Sequence, residues 1–166
     1  MANESYITGG TVLSINGEAG ADYAFSMEGI TNSNGRVSAQ IDLGAAPRPS
    51  IYSWSAEAQM QATPTQGGTI DFYIAKAPDS DSTQIDGDVG TTDAALADVD
   101  MRRNLQYIGS IVSENAAASE KMVGSGVFAV YDRYITIVGY NGAGATTNAT
   151  DSNFQFKLTP KAFQGQ

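Results

Sequence analysis

The chain has 166 residues, and 18 acidic against 9 basic side chains leave a formal charge of −9. Sequence-independent nucleic-acid affinity needs clustered Lys and Arg, so this balance argues against a nucleic-acid partner. Neither Cys nor His is present, which removes thiol and imidazole catalysis, disulfides and the ligands zinc prefers, and leaves only hard, oxygen-ligated metals such as calcium.

The length suits one sizeable core, and we read residues 1–166 as a single domain. The N-terminal MANESYITGG has neither a basic nor an apolar signal region, and no apolar run reaches membrane-spanning length. The expectation is no visible address for secretion and no membrane partner.

Period-2 alternation dominates the chain. Val12–Ile15 and the alternating Tyr23, Phe25 and Met27 flank the turn-forming Asn16–Gly20, which predicts a hairpin. Residues 36–43 alternate, with Val37, Ala39, Ile41 and Leu43 on one side and Arg36, Ser38, Gln40 and Asp42 on the other. They predict one strand with a wet face. Pro47 and Pro49 interrupt pairing. A long strand follows with Tyr52, Trp54, Ala56, Ala58 and Met60 on its apolar face, then a turn over Pro64–Gly68 and a strand carrying Ile70, Phe72 and Ile74.

The stretch PDSDSTQIDGDVGTTDAALADVDMRRN, residues 78–104, places seven aspartates before its first positive charge. We expect an ordered crossover with a short helix over Thr92–Asp98, capped by Thr92 or Asp93. Beyond it, 105–112 predicts a strand apolar on nearly both sides. Residues 121–130 and 133–140 predict two more, parted or bent at Asp132–Arg133. Residues 141–153 read as a flexible polar loop, and Phe154, Phe156 and Leu158 alternate in a last strand.

The fold class expected is all-β: a β-sandwich of jelly-roll type, with about eight or nine strands and one short helix in a long crossover loop. A barrel satisfies the same pattern.

Asp79, Asp81, Asp86 and Asp88 are the candidate metal ligands, for calcium. The spacing starts like a calcium loop, but Gln84 stands where the turn needs Gly and Gly90 where a bidentate Glu is needed. A solvated acidic loop is therefore the favoured reading, with no cofactor. No nucleophile elbow, phosphate loop or zinc-protease motif occurs. We name no catalytic residue and expect no enzyme. A carbohydrate-binding module is the alternative, with Tyr52, Trp54, Tyr131, Tyr134 and Tyr140 as possible stacking rings, although Tyr52 and Trp54 lie on a core-facing side. Arg102 and Arg103, the one basic pair, are the candidate interface residues; local charge balance is the plainer explanation.

GTTDAALADVDMRRNLQYIGSIVS (90–113) followed by MVGSGVFAVYDRYITIVGYN (122–141) resembles a group of small virion proteins of tailed bacteriophages. The resemblance takes in GRVSAQIDLG, SWSAEAQMQA and GGTIDFYIA as well, so it extends over the greater part of the chain. It implies a β-sandwich or jelly-roll subunit on the capsid exterior, a decoration or cement protein that is often a homotrimer and bridges neighbouring major capsid proteins. A tail or fibre-base component fits the same residues. The resemblance brings no catalytic residues with it.

Overall fold

The structure, a computed structural model, describes residues 10–80, 84–114, 117 and 119–161. Its strands are β1 (Leu13–Asn16), β2 (Tyr23–Ala24), β3 (Asn34–Val37), β4 (Ile41–Asp42), β5 (Ile51–Gln59) and β6 (Thr69–Ala77). After the crossover come β8 (Gln106–Val112), β9 (Lys121–Ala129), β10 (Tyr134–Gly142) and β11 (Phe154–Pro160), with β7 (Ala94–Ala95) inside the crossover itself.

Sheet I runs β2-β1-β11-β5-β9, and sheet II runs β7-β3-β10-β6-β8 with β4 also paired to β10. The strands β1-β11-β5-β9 thus face β3-β10-β6-β8. The first and last lie side by side and the chain switches sheets between them, which is the jelly-roll order. The chain is an all-β sandwich.

Period-2 alternation explains the buried layer. Tyr52, Trp54, Ala56 and Ala58 of β5 face Ile70, Phe72 and Ile74 of β6 across the core, joined by Phe154, Phe156 and Leu158 of β11. Trp54 stacks on Phe156 at 5.7 Å and 8°, and lies 5.5 Å from the Phe72 ring. Its indole N–H donates to the Ile108 carbonyl at 3.0 Å, so a side chain of sheet I is hydrogen-bonded to the backbone of sheet II.

Two glycines make room for that indole. A Cβ on Gly109 of β8 would lie 2.5 Å from the ring, and one on Gly126 of β9 would lie 2.6 Å from the ring nitrogen. Gly109 also has φ +139 at the point where the β6–β8 register shifts, a conformation that L side chains rarely adopt.

Several expectations are corrected. β1 and β2 pair in parallel and β1 pairs antiparallel with β11, so residues 12–27 are not a hairpin. Alternation assigns faces but leaves the partner open. The strand expected over 36–43 is two short ones, because the Ser38 hydroxyl oxygen accepts the Ile137 N–H while its own proton goes to the Ala39 carbonyl, and Ala39 and Gln40 donate to the carbonyls of Ala24 and Thr91. Across that break Val37 faces outward into a satellite cluster while Ile41 faces the main core. The helix expected over 92–98 is absent: 94–95 form β7, and the helical turns of the crossover are 3-10, at Asp86–Asp88 and at Val99–Asn104. There Asp98 is the cap, accepting from the Asp100 N–H at 2.8 Å.

Residues 141–153 are packed rather than loose. Asn141 is fully buried and its amide donates to the carbonyls of Ile30 and Ala145, both at 2.8 Å. The Thr147 hydroxyl donates to the Met27 carbonyl at 2.6 Å. Polar composition here marks satisfied internal hydrogen bonds.

The acidic crossover forms a third layer on the outer face of sheet II. Ile85 sits on Ala75 and Ala77 of β6, and Leu96 sits on Val37 and Val138. Val89, Met101 and Leu105 fill in around them.

Gly126→Val should drive a branched side chain into the Trp54 ring and cost about 1–3 kcal/mol, a fall in Tm of roughly 2–12 °C. Ser125→Val, on the exposed side of the same strand, should leave Tm nearly unchanged. Equal Tm values for the two variants in a thermal melt would refute this account of the glycine.

Candidate functional site

Because Ile70, Phe72 and Ile74 point into the core, Asp71 and Tyr73 point out from sheet II. The registers set Tyr140 of β10 and Ser110 of β8 on either side of Asp71, and Tyr107 of β8 beside Tyr73. Three tyrosines therefore share one outer surface. The Tyr73 and Tyr107 rings are 5.4 Å apart and tilted by 60°. The Tyr107 hydroxyl lies 2.8 Å from that of Ser110. Tyr107 is 55% exposed and is the open end of the group.

The 3-10 turn at Val99–Asn104 lays Arg102 over this surface, with its guanidinium carbon 3.6 Å from the Tyr140 ring centre. A cation over an aromatic face is stabilised by the ring quadrupole. The Nη1 nitrogen of Arg102 is buried and makes no hydrogen bond among the described residues. Burial pushes the Tyr73 hydroxyl pKa above its ordinary value, and the Asp71 carboxylate adds to the rise. Tyr73 thus stays a neutral donor.

These groups offer aromatic faces, hydroxyls, one carboxylate and one guanidinium, the composition that dominates binding energy in protein contacts. They suit recognition.

Of the interface pair, Arg102 joins the patch. Arg103 reaches Asp100 at 3.2 Å on the exposed side of the same turn, an ordinary local charge contact.

The three metal candidates among the described residues are dispersed in role. Asp86 accepts from the Lys76 backbone N–H at 3.2 Å and lies 3.7 Å from its ammonium. Asp88 ends a 3-10 turn with φ +53. Gln40 donates to the Asp79 carbonyl at 3.3 Å. Asp81 lies outside the described residues. Among the described residues no three Asp or Glu side chains group closely enough to hold a metal ion.

Of the rings proposed for sugar stacking, Tyr52 and Trp54 are in the core. Tyr131 is 79% exposed with its carbonyl taken by Arg48. Tyr134 lies 5.0 Å beneath Arg133. Tyr140 alone belongs to the patch. Sequence reasoning missed Tyr73 and Tyr107, although the alternation of β6 already puts Tyr73 opposite the core side.

Asp93 ties the crossover to the sandwich. It accepts from Arg36 Nε at 2.7 Å and from the N–H and hydroxyl of Ser26 at 3.2 and 2.5 Å. Burial pushes its pKa up, but the Arg36 and Ser26 hydrogen bonds outweigh it and hold the carboxyl below the usual range. Arg133 forks onto Asp42 with two bonds of 2.7 Å and likewise holds that carboxyl low.

No protein-family model and no curated protein matches the chain. Among solved structures it is similar to two crystal structures of murine APRIL, at pH 8.5 and pH 8.0. Each shares 10% identity over 90% of this chain and 98% of the other, with TM-scores of 0.40 and 0.42.

With Asp93 depressed in the folded state, its stabilisation is complete above the unfolded value of about 4 and is lost as pH falls through the folded value. Asp93→Asn should therefore be less stable than wild type in urea at pH 7, with the gap closing as pH falls below the unfolded value and through the depressed folded one. A gap that ignores pH would refute the role given to the carboxylate.

Proposed function

We propose that this protein is a virion structural protein, a decoration or cement subunit that binds the outer surface of an assembled phage head and stabilises contacts between major capsid proteins. The observation that carries this reading is the patch of Tyr73, Tyr107, Tyr140 and Arg102, held on a sheet and a short turn rather than on a free loop. Rigid aromatics beside an Arg lose little side-chain freedom on binding, which is why such groups serve as contact anchors. The resemblance of 90–113 and 122–141 to small phage virion proteins supports the same assignment.

In this reading the subunit acts by mass action. It binds the assembled lattice and not free capsid subunits, so each occupied site shifts the equilibrium toward the intact shell, by about 2.7 kcal/mol at one hundred times the dissociation constant. The partners are the major capsid protein and further copies of this chain in a homotrimer, and the location is the capsid exterior. Neither nucleic acid nor a membrane takes part, no cofactor is needed, and no reaction is catalysed.

A carbohydrate-binding role is the second reading. The Tyr73 and Tyr107 rings beside Asp71 and Ser110 favour it, since sugar platforms combine stacking faces with acid and hydroxyl hydrogen bonding.

The test is co-sedimentation with purified phage heads. Tyr107→Ala, at a half-exposed position that leaves the core intact, should cost about 2 kcal/mol, roughly a thirty-fold loss of head affinity. Wild-type protein that ignores heads but binds a glycan array, with the signal lost in Tyr107→Ala, would replace the virion assignment with the carbohydrate one.

A further inference from the structure

At the end of the sandwich where β1 begins and β11 stops, a cavity of about 200 Å³ opens between the two sheets. Leu13 of β1, Tyr52 of β5 and Pro160 of β11 line it from sheet I, Asp42 of β4 and the following Leu43 from sheet II, and Pro49 from the segment ahead of β5. Its walls are mainly carbon. Leu13 and Leu43 pack against the main core from this end, and the two proline rings add apolar surface.

Asp42 and Tyr52 bring polar atoms to the wall, and they differ in what they already hold. The Asp42 carboxylate is engaged, accepting from Arg133 Nε and Nη2, each at 2.7 Å, and from the Gly44 N–H at 2.8 Å. The Tyr52 hydroxyl has no hydrogen-bond partner among the described residues, although Tyr52 is only 2% exposed. Its ring stacks on Phe128 at 6.0 Å and 21°, which fixes where the hydroxyl stands. A buried hydroxyl without a partner costs free energy that a ligand atom in the cavity would recover.

Arg48 selects the kind of atom. Held by the Tyr131 carbonyl, its charge acts on both Asp42 and Tyr52. Burial outweighs it and keeps the Tyr52 pKa raised, so the hydroxyl stays a neutral donor. A donor beside a positive charge calls for an acceptor oxygen.

We propose that this cavity binds a compact, mainly apolar molecule bearing a carbonyl or carboxylate oxygen, which accepts from the Tyr52 hydroxyl while the hydrocarbon body lies on Leu13, Leu43 and the two prolines. Apolar walls with few convergent polar groups are the usual make-up of small-molecule sites. The size agrees: an apolar cavity of about 150 Å³ holds benzene, so 200 Å³ takes one ring with a short polar substituent. None of the tyrosine patch of sheet II lines the cavity, and the proposal stands apart from the virion reading.

Saturation-transfer NMR on the full chain with benzoate, acetophenone and toluene tests it. Benzoate and acetophenone should bind, and toluene, which lacks the oxygen, should bind roughly five-fold more weakly. Tyr52→Phe keeps the ring on Phe128 and removes only the unpartnered hydroxyl. Its melting temperature should match wild type, while its affinity for benzoate and acetophenone falls to that of toluene. Tyr107→Ala should bind all three as wild type does, which separates this site from the sheet II patch. Silence from all three probes, equal binding of benzoate to wild type and Tyr52→Phe, loss of binding in Tyr107→Ala, or a Tyr52→Phe melting temperature several degrees below wild type each overturns the inference.

Discussion

The indole of Trp54 is the constraint around which the sandwich is arranged. It belongs to β5 of sheet I, yet its N–H is satisfied by the Ile108 carbonyl of sheet II. A buried polar group of this kind must be paired. Its ring needs a slot as wide as an indole, and the slot exists because Gly109 and Gly126 carry no Cβ on the two strands that flank it. One side chain thus sets how closely β8 and β9 approach, and so how the two sheets close along that side. The stacked Phe156 and tilted Phe72 complete the packing.

The closure has consequences on the outer face of sheet II. It fixes β8 beside β6, which brings Tyr107 next to Tyr73. The acidic crossover then covers part of sheet II and leaves sheet I bare. Its aspartates are the visible part of its sequence, but Ile85, Leu96 and Leu105 hold it down, Asp93 anchors it through Arg36 and Ser26, and Asp86 ties it to Lys76 of β6. The segment is a layer of the protein that presents Arg102, rather than a free arm.

The placement of Arg102 shows why the two members of a basic pair can differ. Successive residues of a 3-10 turn point in different directions. Arg102 is carried over the Tyr140 ring, while Arg103 is left with Asp100 in solvent. Composition treats them alike. Only the turn separates a contact group from a solvated charge.

Much of the architecture was legible from residue order. The alternation in 52–60, 70–74 and 154–158 marked the core faces, and the all-β class and approximate strand number followed from it, because side chains of a strand alternate by local geometry alone. The exclusion of thiol and imidazole chemistry was equally a matter of sequence. Strand partners were not, which is why β1 and β2 turned out parallel and why residues 36–43 changed face at Ser38. Pairing depends on groups distant in the chain, such as Ile137 for Ser38 and Ile30 for Asn141. The tyrosine patch belongs to the same class: alternation aimed Tyr73 outward, but its meeting with Tyr107, Tyr140 and Arg102 required the order β10-β6-β8 and a turn from the crossover. Sequence alone determined which residues face the core; tertiary structure decided which of the outward ones stand together, because neighbours across a sheet are set by hydrogen-bonded register and not by distance along the chain.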